Sequence, residues 1–322
     1  MPNPNVGDLV ASTIKAQNRK FADNFTNNNA ALFWMQKRGS IKPLDGGEQI
    51  REELAYAANG NATSFDGYDT LPTGQQAVFD AADYQWKQYA VSITISGREK
   101  RQNNGSPWKM IDLVTSRINN ARGSLKNRWC TDFYLDGTGN NGKNLTGLNL
   151  QVPTDPTTGT VGGINRANFT FFRSQIKTVT FAQATIIANM NLLWVATVRG
   201  TDKPQAILSE NVGYTTYLSA LQANIRFVDD DTADAGFENV KFNSAPVILD
   251  GGIGGACPAS QMFFLNFDYL YWRPHTELNF ASMDEDEDGR QPVNQDATIK
   301  FLGLQGNVTS SGLQFQGRFN GS

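Results

Sequence analysis

Histidine and cysteine are nearly absent from this chain of 322 residues, which has one His and two Cys. Two thiols as far apart as Cys130 and Cys257 exclude the disulfide framework that staples small secreted domains, and reduced thiols in a cytosolic setting are expected. The lone His275 stands beside Pro274 at an expected strand end. It has no partner at the spacing that general-base or metal chemistry requires, so a structural or surface role is expected. No apolar run approaches the length of a membrane span, and the opening MPNPNVGDLVASTIKAQNRK has no signal-peptide core. The Asn-x-Thr triplets at Asn61 and Asn168 matter only in a secreted eukaryotic protein. A nucleophile elbow, a P-loop lysine and a dinucleotide glycine fingerprint are all missing. No catalytic, cofactor-binding or metal-ligating residue is assigned, and no enzyme is expected.

Charge of one sign is also scarce overall. The net charge of −3 is too near neutral for a protein that wraps nucleic acid. The distribution is uneven, however. Residues 1–200 carry 21 Lys and Arg against 15 Asp and Glu, and residues 201–322 carry 7 against 16. Opposite signs on one chain favour head-to-tail contact between copies, and compositional scatter would give the same counts. One acidic string, Asp284 to Gly289, matches the first half of an EF-hand loop. Gln295 replaces the twelfth-position Glu, Pro292 interrupts the loop and no helices flank it, so a solvated loop is the better reading than a cation site. Asp229-Asp230-Asp231 reads the same way.

Against these gaps stands a content of 39% hydrophobic residues, enough for a substantial core in one large or two modest domains. The stretch 235–279 carries much of it. Val247-Ile248-Leu249 and Met262-Phe263-Phe264-Leu265 read as strands on either side of a glycine-rich turn, and Tyr269-Leu270-Tyr271-Trp272 follows. So many large aromatics without catalytic spacing point to packing or self-association.

Residues 1–45 are polar and Asn-rich, with one weakly amphipathic patch from Leu9 to Ile14, and read as an extended arm that orders on a partner. Residues 46–105 read as a long two-stranded excursion. Its runs are Glu48 to Tyr56 and Ala81 to Arg98, the latter with strand alternation over Tyr89–Ser96, and its tip from Phe65 to Gly74 is dense in turn residues. Such a hairpin is marginal alone and should lie on something else.

The clearest helix follows, over 106–136. Ser106 can cap it, Pro107 takes its first position, and Met110, Val114, Ile118, Ala121, Leu125, Trp129 and Phe133 trace one face. Such a length suits a spine along which other elements lie. Its Arg117, Arg122, Lys126 and Arg128 are candidates for contact with nucleic acid or with acidic loops of a neighbour, or for a solvated face with local pairs. Residues 137–165 read as loop. Two helices are expected between Phe169 and Val198, one with Phe172, Ile176 and Val179, the other with Ile187, Met190, Leu193, Trp194 and Val198. Ala206-Ile207-Leu208 reads as a buried strand, Ser209 as the cap of a third helix, and Ala297–Gly306 and Leu313–Phe319 as closing strands.

This order of arm, long hairpin, spine helix and mixed α/β domain with returning strands resembles the HK97-type major capsid protein of tailed bacteriophages. The strings KFNSAPVILDGG, MFFLNFDYLYWRPH and PVNQDATIKFLGLQGNVTSSGLQFQG are similar to strings in phage coat proteins. The resemblance implies an α+β, HK97-like capsid fold with an N-terminal arm (1–45), an E-loop excursion (46–105), a P domain (106–199, spine helix 106–136), an A domain (200–275) and strands returning to the P domain (276–322). It implies self-assembly through pentamers and hexamers into an icosahedral shell around double-stranded DNA, in a virion built in the bacterial cytoplasm. A separate scaffolding protein, a portal protein at one vertex and a decoration protein are the implied partners, with non-specific DNA contact, no membrane and no cofactor. Some relatives cross-link an E-loop lysine to a neighbour's asparagine with the help of a glutamate. Lys87 and Lys100 are the candidate lysines here, but no residue pattern marks the asparagine or the glutamate, so cross-linking is not expected. A nanocompartment shell of the same fold is the first alternative. A carbohydrate-acting enzyme or binding module with an aromatic cleft is the second. A jelly-roll capsid does not suit so long a helix.

Overall fold

The 3-and-4 spacing of apolar residues between Pro107 and Phe133 produces a single helix of 27 residues, about 40 Å long at 1.5 Å per residue. A computed structural model describes residues 29–102, 107–221, 240–252, 255–283 and 294–321. Within these, Ala121, Leu125, Trp129 and Phe133 of this spine helix are buried. The side chains of Met110 and Val114, and residue Ser106, lie outside the described residues. Trp129 stacks on Phe133 at 5.1 Å and meets Trp272 edge-on at 5.4 Å. Past the helix, Asp136 accepts from the N–H (3.0 Å) and hydroxyl (2.7 Å) of Thr138. Gly147 lies so close to the helix end that an added Cβ would stand 2.2 Å from the Leu135 carbonyl oxygen, so only glycine allows the chain to turn there.

Two sheets lie along this spine. The first has six strands in the order β6 (Gln175–Thr178), β13 (Gly317–Asn320), β10 (Gln261–Leu265), β7 (Ala206–Ser209), β9 (Ala245–Leu249) and β8 (Val240–Phe242). Its continuous apolar runs follow from burial on both faces. Leu208, Ile248, Phe263 and Leu265 join the spine-helix core, whereas Ile207, Val247, Met262 and Phe264 face the helices Ile186–Thr197 and Asn211–Leu221. The second sheet has three strands, β11 (Leu270–Ser282), β12 (Ala297–Ser310) and β3 (Lys87–Ser96), and β4 (Thr160–Val161) and β5 (Ile164–Asn165) form a small separate ribbon. Tyr89, Val91 and Ile93 of β3 turn toward the spine helix core, as their alternation requires.

Four sequence expectations are corrected. First, residues 29–45 are not an extended arm. Ala30–Lys37 is a helix with Ala30, Ala31, Trp34 and Met35 buried. The segment after it adds to the outer edge of β11, where Trp272 N–H donates to the Ser40 carbonyl and Leu44 N–H to the Pro274 carbonyl. Pro274, lacking an N–H, sits where only its carbonyl is used. Second, the run from Ala81 to Arg98 is two strands. β2 (Phe79–Tyr84) pairs with β1 (Ile50–Ala55), and β3 pairs with β12. The excursion is therefore 50–84. Third, the helix expected over Phe172, Ile176 and Val179 is a 3-10 turn at Thr170–Phe172 followed by β6. Parallel pairing with β13 outweighs its local helical spacing. Fourth, Ser209 closes β7, and the Glu210 carboxylate caps the next helix by accepting from Gly213 N–H at 2.7 Å. The closing strands are β12 and β13, but Leu313–Phe315, expected within the last strand, is a 3-10 turn, and His275 lies inside β11 rather than at its end.

Candidate assembly surfaces

Among the described residues the hairpin of β1 and β2 is anchored along its strands, as far as Tyr56, which stacks on Phe171 at 5.1 Å. Ile50, Leu54, Ala82 and Tyr84 pack against Val161, Ile164, Phe172 and Leu313. Glu52, alternating inward with Ile50 and Leu54, is buried, and Arg273 of β11 clasps it with two bonds of 2.6 and 2.7 Å. Thr309 donates its hydroxyl to the same carboxylate at 2.7 Å. Tyr84 donates to the Ser310 carbonyl at 3.1 Å, and burial pushes its phenol well above the ordinary range. Beyond this clamp every residue from 57 to 77 except Asn61 is exposed. Phe65, Tyr68, Leu71 and Phe79 offer their apolar side chains to solvent, Tyr68 in full. The tip is held mainly to itself, as where the Asn61 amide donates to the Gly74 carbonyl at 2.5 Å.

The hairpin is acidic and lysine-free. Residues 50–84 carry one Arg, no Lys and six Asp and Glu, whereas residues 87–143 carry ten Lys and Arg against four Asp and Glu. Two of those four are buried and used internally. Glu99 accepts from Ser96 N–H while its own N–H bonds the Ser96 hydroxyl, a reciprocal cap on the helix Gly97–Gln102. It also pairs with Arg117 at 2.7 Å. Burial opposes the charge of Glu99, but the bonds from Arg117 and Ser96 outweigh it and hold the carboxyl below its usual range. Asp132 accepts from Arg128 one turn away at 3.0 Å and from Tyr89 at 2.7 Å. Of the four candidate cations on the spine, Arg117 and Arg128 are thus paired locally. Arg122 and Lys126 are exposed and pair with no acidic group among the described residues.

The remaining sequence candidates do not converge on a reactive centre. His275 packs on Trp86 at 5.8 Å and its Nδ1 accepts from Glu277 N–H. Cys130 and Cys257 are both buried and unbridged, and burial pushes both thiols far up. Asp250, after β9, receives the Tyr134 hydroxyl. Burial lifts its carboxyl to about 6 against the opposing effect of that bond. Lys87 belongs to β3, not to the hairpin, and its ammonium donates to the Gly142 carbonyl. The Lys100 side chain, the acidic string 284–289, Asp229–Asp231 and the patch from Leu9 to Ile14 lie outside the described residues. Among the described residues no cluster of His, Cys, Asp or Glu could hold a metal, and no helix is long and apolar enough to cross a membrane.

A spine helix flanked by a six-stranded and a three-stranded sheet, with a hairpin clamped to β11 and β12, defines a capsid-type fold. The chain has the fold of phage capsid proteins, the HK97-type architecture its sequence resembles. It is similar to the capsid protein in the cyanophage A-1(L) capsid asymmetric unit, with a TM-score of 0.67 over 93% of this chain and 94% of that one at 16% identity. It is similar also to that of the capsid of Myoviridae phage XM1, with a TM-score of 0.52, 95% and 98% coverage and 14% identity. The capsid of an empty GTA particle matches at a TM-score of 0.53, with 94% and 91% coverage and 10% identity. No family model matches the sequence, and no curated protein matches it either.

Proposed function

We propose that this chain is a major capsid protein whose copies close into an icosahedral shell around double-stranded DNA. The observation that carries the reading is the hairpin: a clamped base and an exposed, aromatic-bearing tip, on a chain that shares its fold with phage capsid proteins over nearly its whole length. Ordering such a tip costs conformational entropy that burial against another copy would offset. In this reading the hairpin 50–84 is the E-loop, the spine helix and three-stranded sheet belong to the P domain, and the six-stranded sheet centres on the A domain. The protein is structural rather than catalytic. Pentamers and hexamers form the shell, with a separate scaffolding protein, a portal at one vertex and a decoration protein as its partners, and assembly takes place in the bacterial cytoplasm. Deleting 57–77 in favour of a tight turn tests this. The variant should fold with an unchanged unfolding midpoint and form no shells. Normal shells from it would refute the role of the hairpin.

A further inference from the structure

The spine helix has a second face that the core does not use. Thr115, Asn119, Arg122 and Lys126 are all exposed, and their steps of four, three and four residues set them in one stripe along the helix. Among the described side chains no carboxylate belongs to the stripe; that of Asp112, on the same face three residues before Thr115, lies outside them. Arg122 and Lys126 keep their charges unpaired among the described residues, whereas Arg117 and Arg128 are drawn to Glu99 and Asp132. Each cation stands about 6 Å from the other along the axis. A rigid helix face carrying two cations one turn apart, continued by the short neutral side chains of Asn119 and Thr115, suits a polyphosphate backbone, which presents one charge for about every 1.7 Å of duplex. It offers no aromatic or base-reading constellation, so the contact would be sequence-independent. The acidic hairpin is the opposite case, and its six carboxylates would repel the same polymer.

We infer that the Arg122–Lys126 stripe is a nucleic-acid backbone contact, and that the spine helix turns this face toward the enclosed DNA while the hairpin lies away from it. The inference rests on the shell reading, and the two can fail separately. The test compares the full chain with R122A/K126A in two measurements. Electron microscopy asks whether shells form. Fluorescence anisotropy with a labelled random-sequence duplex across a salt series asks how DNA binds. The variant should still form shells, while the slope of log K against log salt falls by about 2 per bound protomer, near 0.9 for each lost phosphate contact. Shells with an unchanged slope would overturn the inference and leave the shell reading standing. A wild-type chain that forms no shells would instead defeat the shell reading. The charge-reversed variant R122E/K126E separates the remaining occupant. If it blocks assembly and D66K/D69K in the hairpin restores it, the stripe meets a neighbouring copy's hairpin and the DNA assignment is wrong.

Discussion

Between Ile50 and Tyr84 the chain carries six carboxylates and one arginine, and between Lys87 and Lys143 it carries ten cations and four carboxylates. The two regions differ in mechanics as well as sign. One face of the spine helix is covered by its own chain, with Trp129 and Phe133 fully buried, and Glu99 and Asp132 are locked by arginines. The hairpin is fixed at Glu52 and Tyr84 and then runs through exposed residues whose hydrogen-bond partners among the described residues are one another. Stability therefore concentrates in the spine and at the clamp, and the tip is left for intermolecular use. A change in the spine should be read in unfolding, and a change in the tip in assembly.

The largest effects should come from the body and the clamp. W129A removes the ring that joins Phe133 to Trp272 and should cost about 3–5 kcal/mol in denaturant unfolding. R273A leaves the Glu52 carboxylate buried without its cation and should cost on the order of 3–5 kcal/mol, with assembly lost as well. An R273A midpoint equal to the wild type would mean that the hairpin is not clamped through this pair.

The Asp250 carboxyl gives a smaller, pH-dependent term. Its folded-state pKa of about 6 lies above the ordinary value of 3.8, so the folded state binds the proton more tightly. Through this group stability rises as pH falls from about 6 toward 4, and the burial penalty is fully present above 6. Comparing the wild type with D250N at pH 7 and pH 5 should show a gain of about 1 kcal/mol on acidification in the wild type that the variant lacks. Glu99 acts in the opposite sense: its lowered pKa contributes stability that disappears as pH falls below the usual carboxylate range. A wild type and a D250N variant with identical pH profiles would remove Asp250 from this account.

The smallest effect on folding should come from the tip. The triple variant F65A/Y68A/L71A changes exposed side chains and should move unfolding by no more than about 0.5 kcal/mol, while shell yield drops sharply. Because residues 50–84 contain no lysine and Lys87 bonds the Gly142 carbonyl, the hairpin itself offers no isopeptide donor. A denaturing gel of particles should show monomer only, and a ladder of multimers would show that a lysine outside the hairpin cross-links.

The long-period features were legible in the sequence. The spine helix is written in seven apolar residues on one face, and it ends at Phe133, close to the expected stop at Asp136-Gly137. The buried strands from Val247 to Trp272 are written in runs that only two-sided burial explains. Elements decided by distant partners were not legible. Ile176 and Val179 keep a helical spacing, yet β13, about 140 residues later, pairs with the segment as a strand. The break at Gln85 and Trp86 hides inside an apparently continuous strand, because β2 and β3 differ in partner rather than in composition. The helix at Ala30–Lys37 has only a short apolar pattern, and its burial depends on the core it shares with the spine helix and β7. Among the candidate contacts, the four spine cations singled out were legible in the sequence, but only the positions of Glu99 and Asp132 separate the paired ones from those without an acidic partner among the described residues.

Negative-stain microscopy of the purified chain tests the central claim most directly. Uniform closed polyhedral shells are the expected result, lost on removal of 57–77 and kept in R122A/K126A. A monodisperse monomer under conditions where the chain is folded would contradict the assignment.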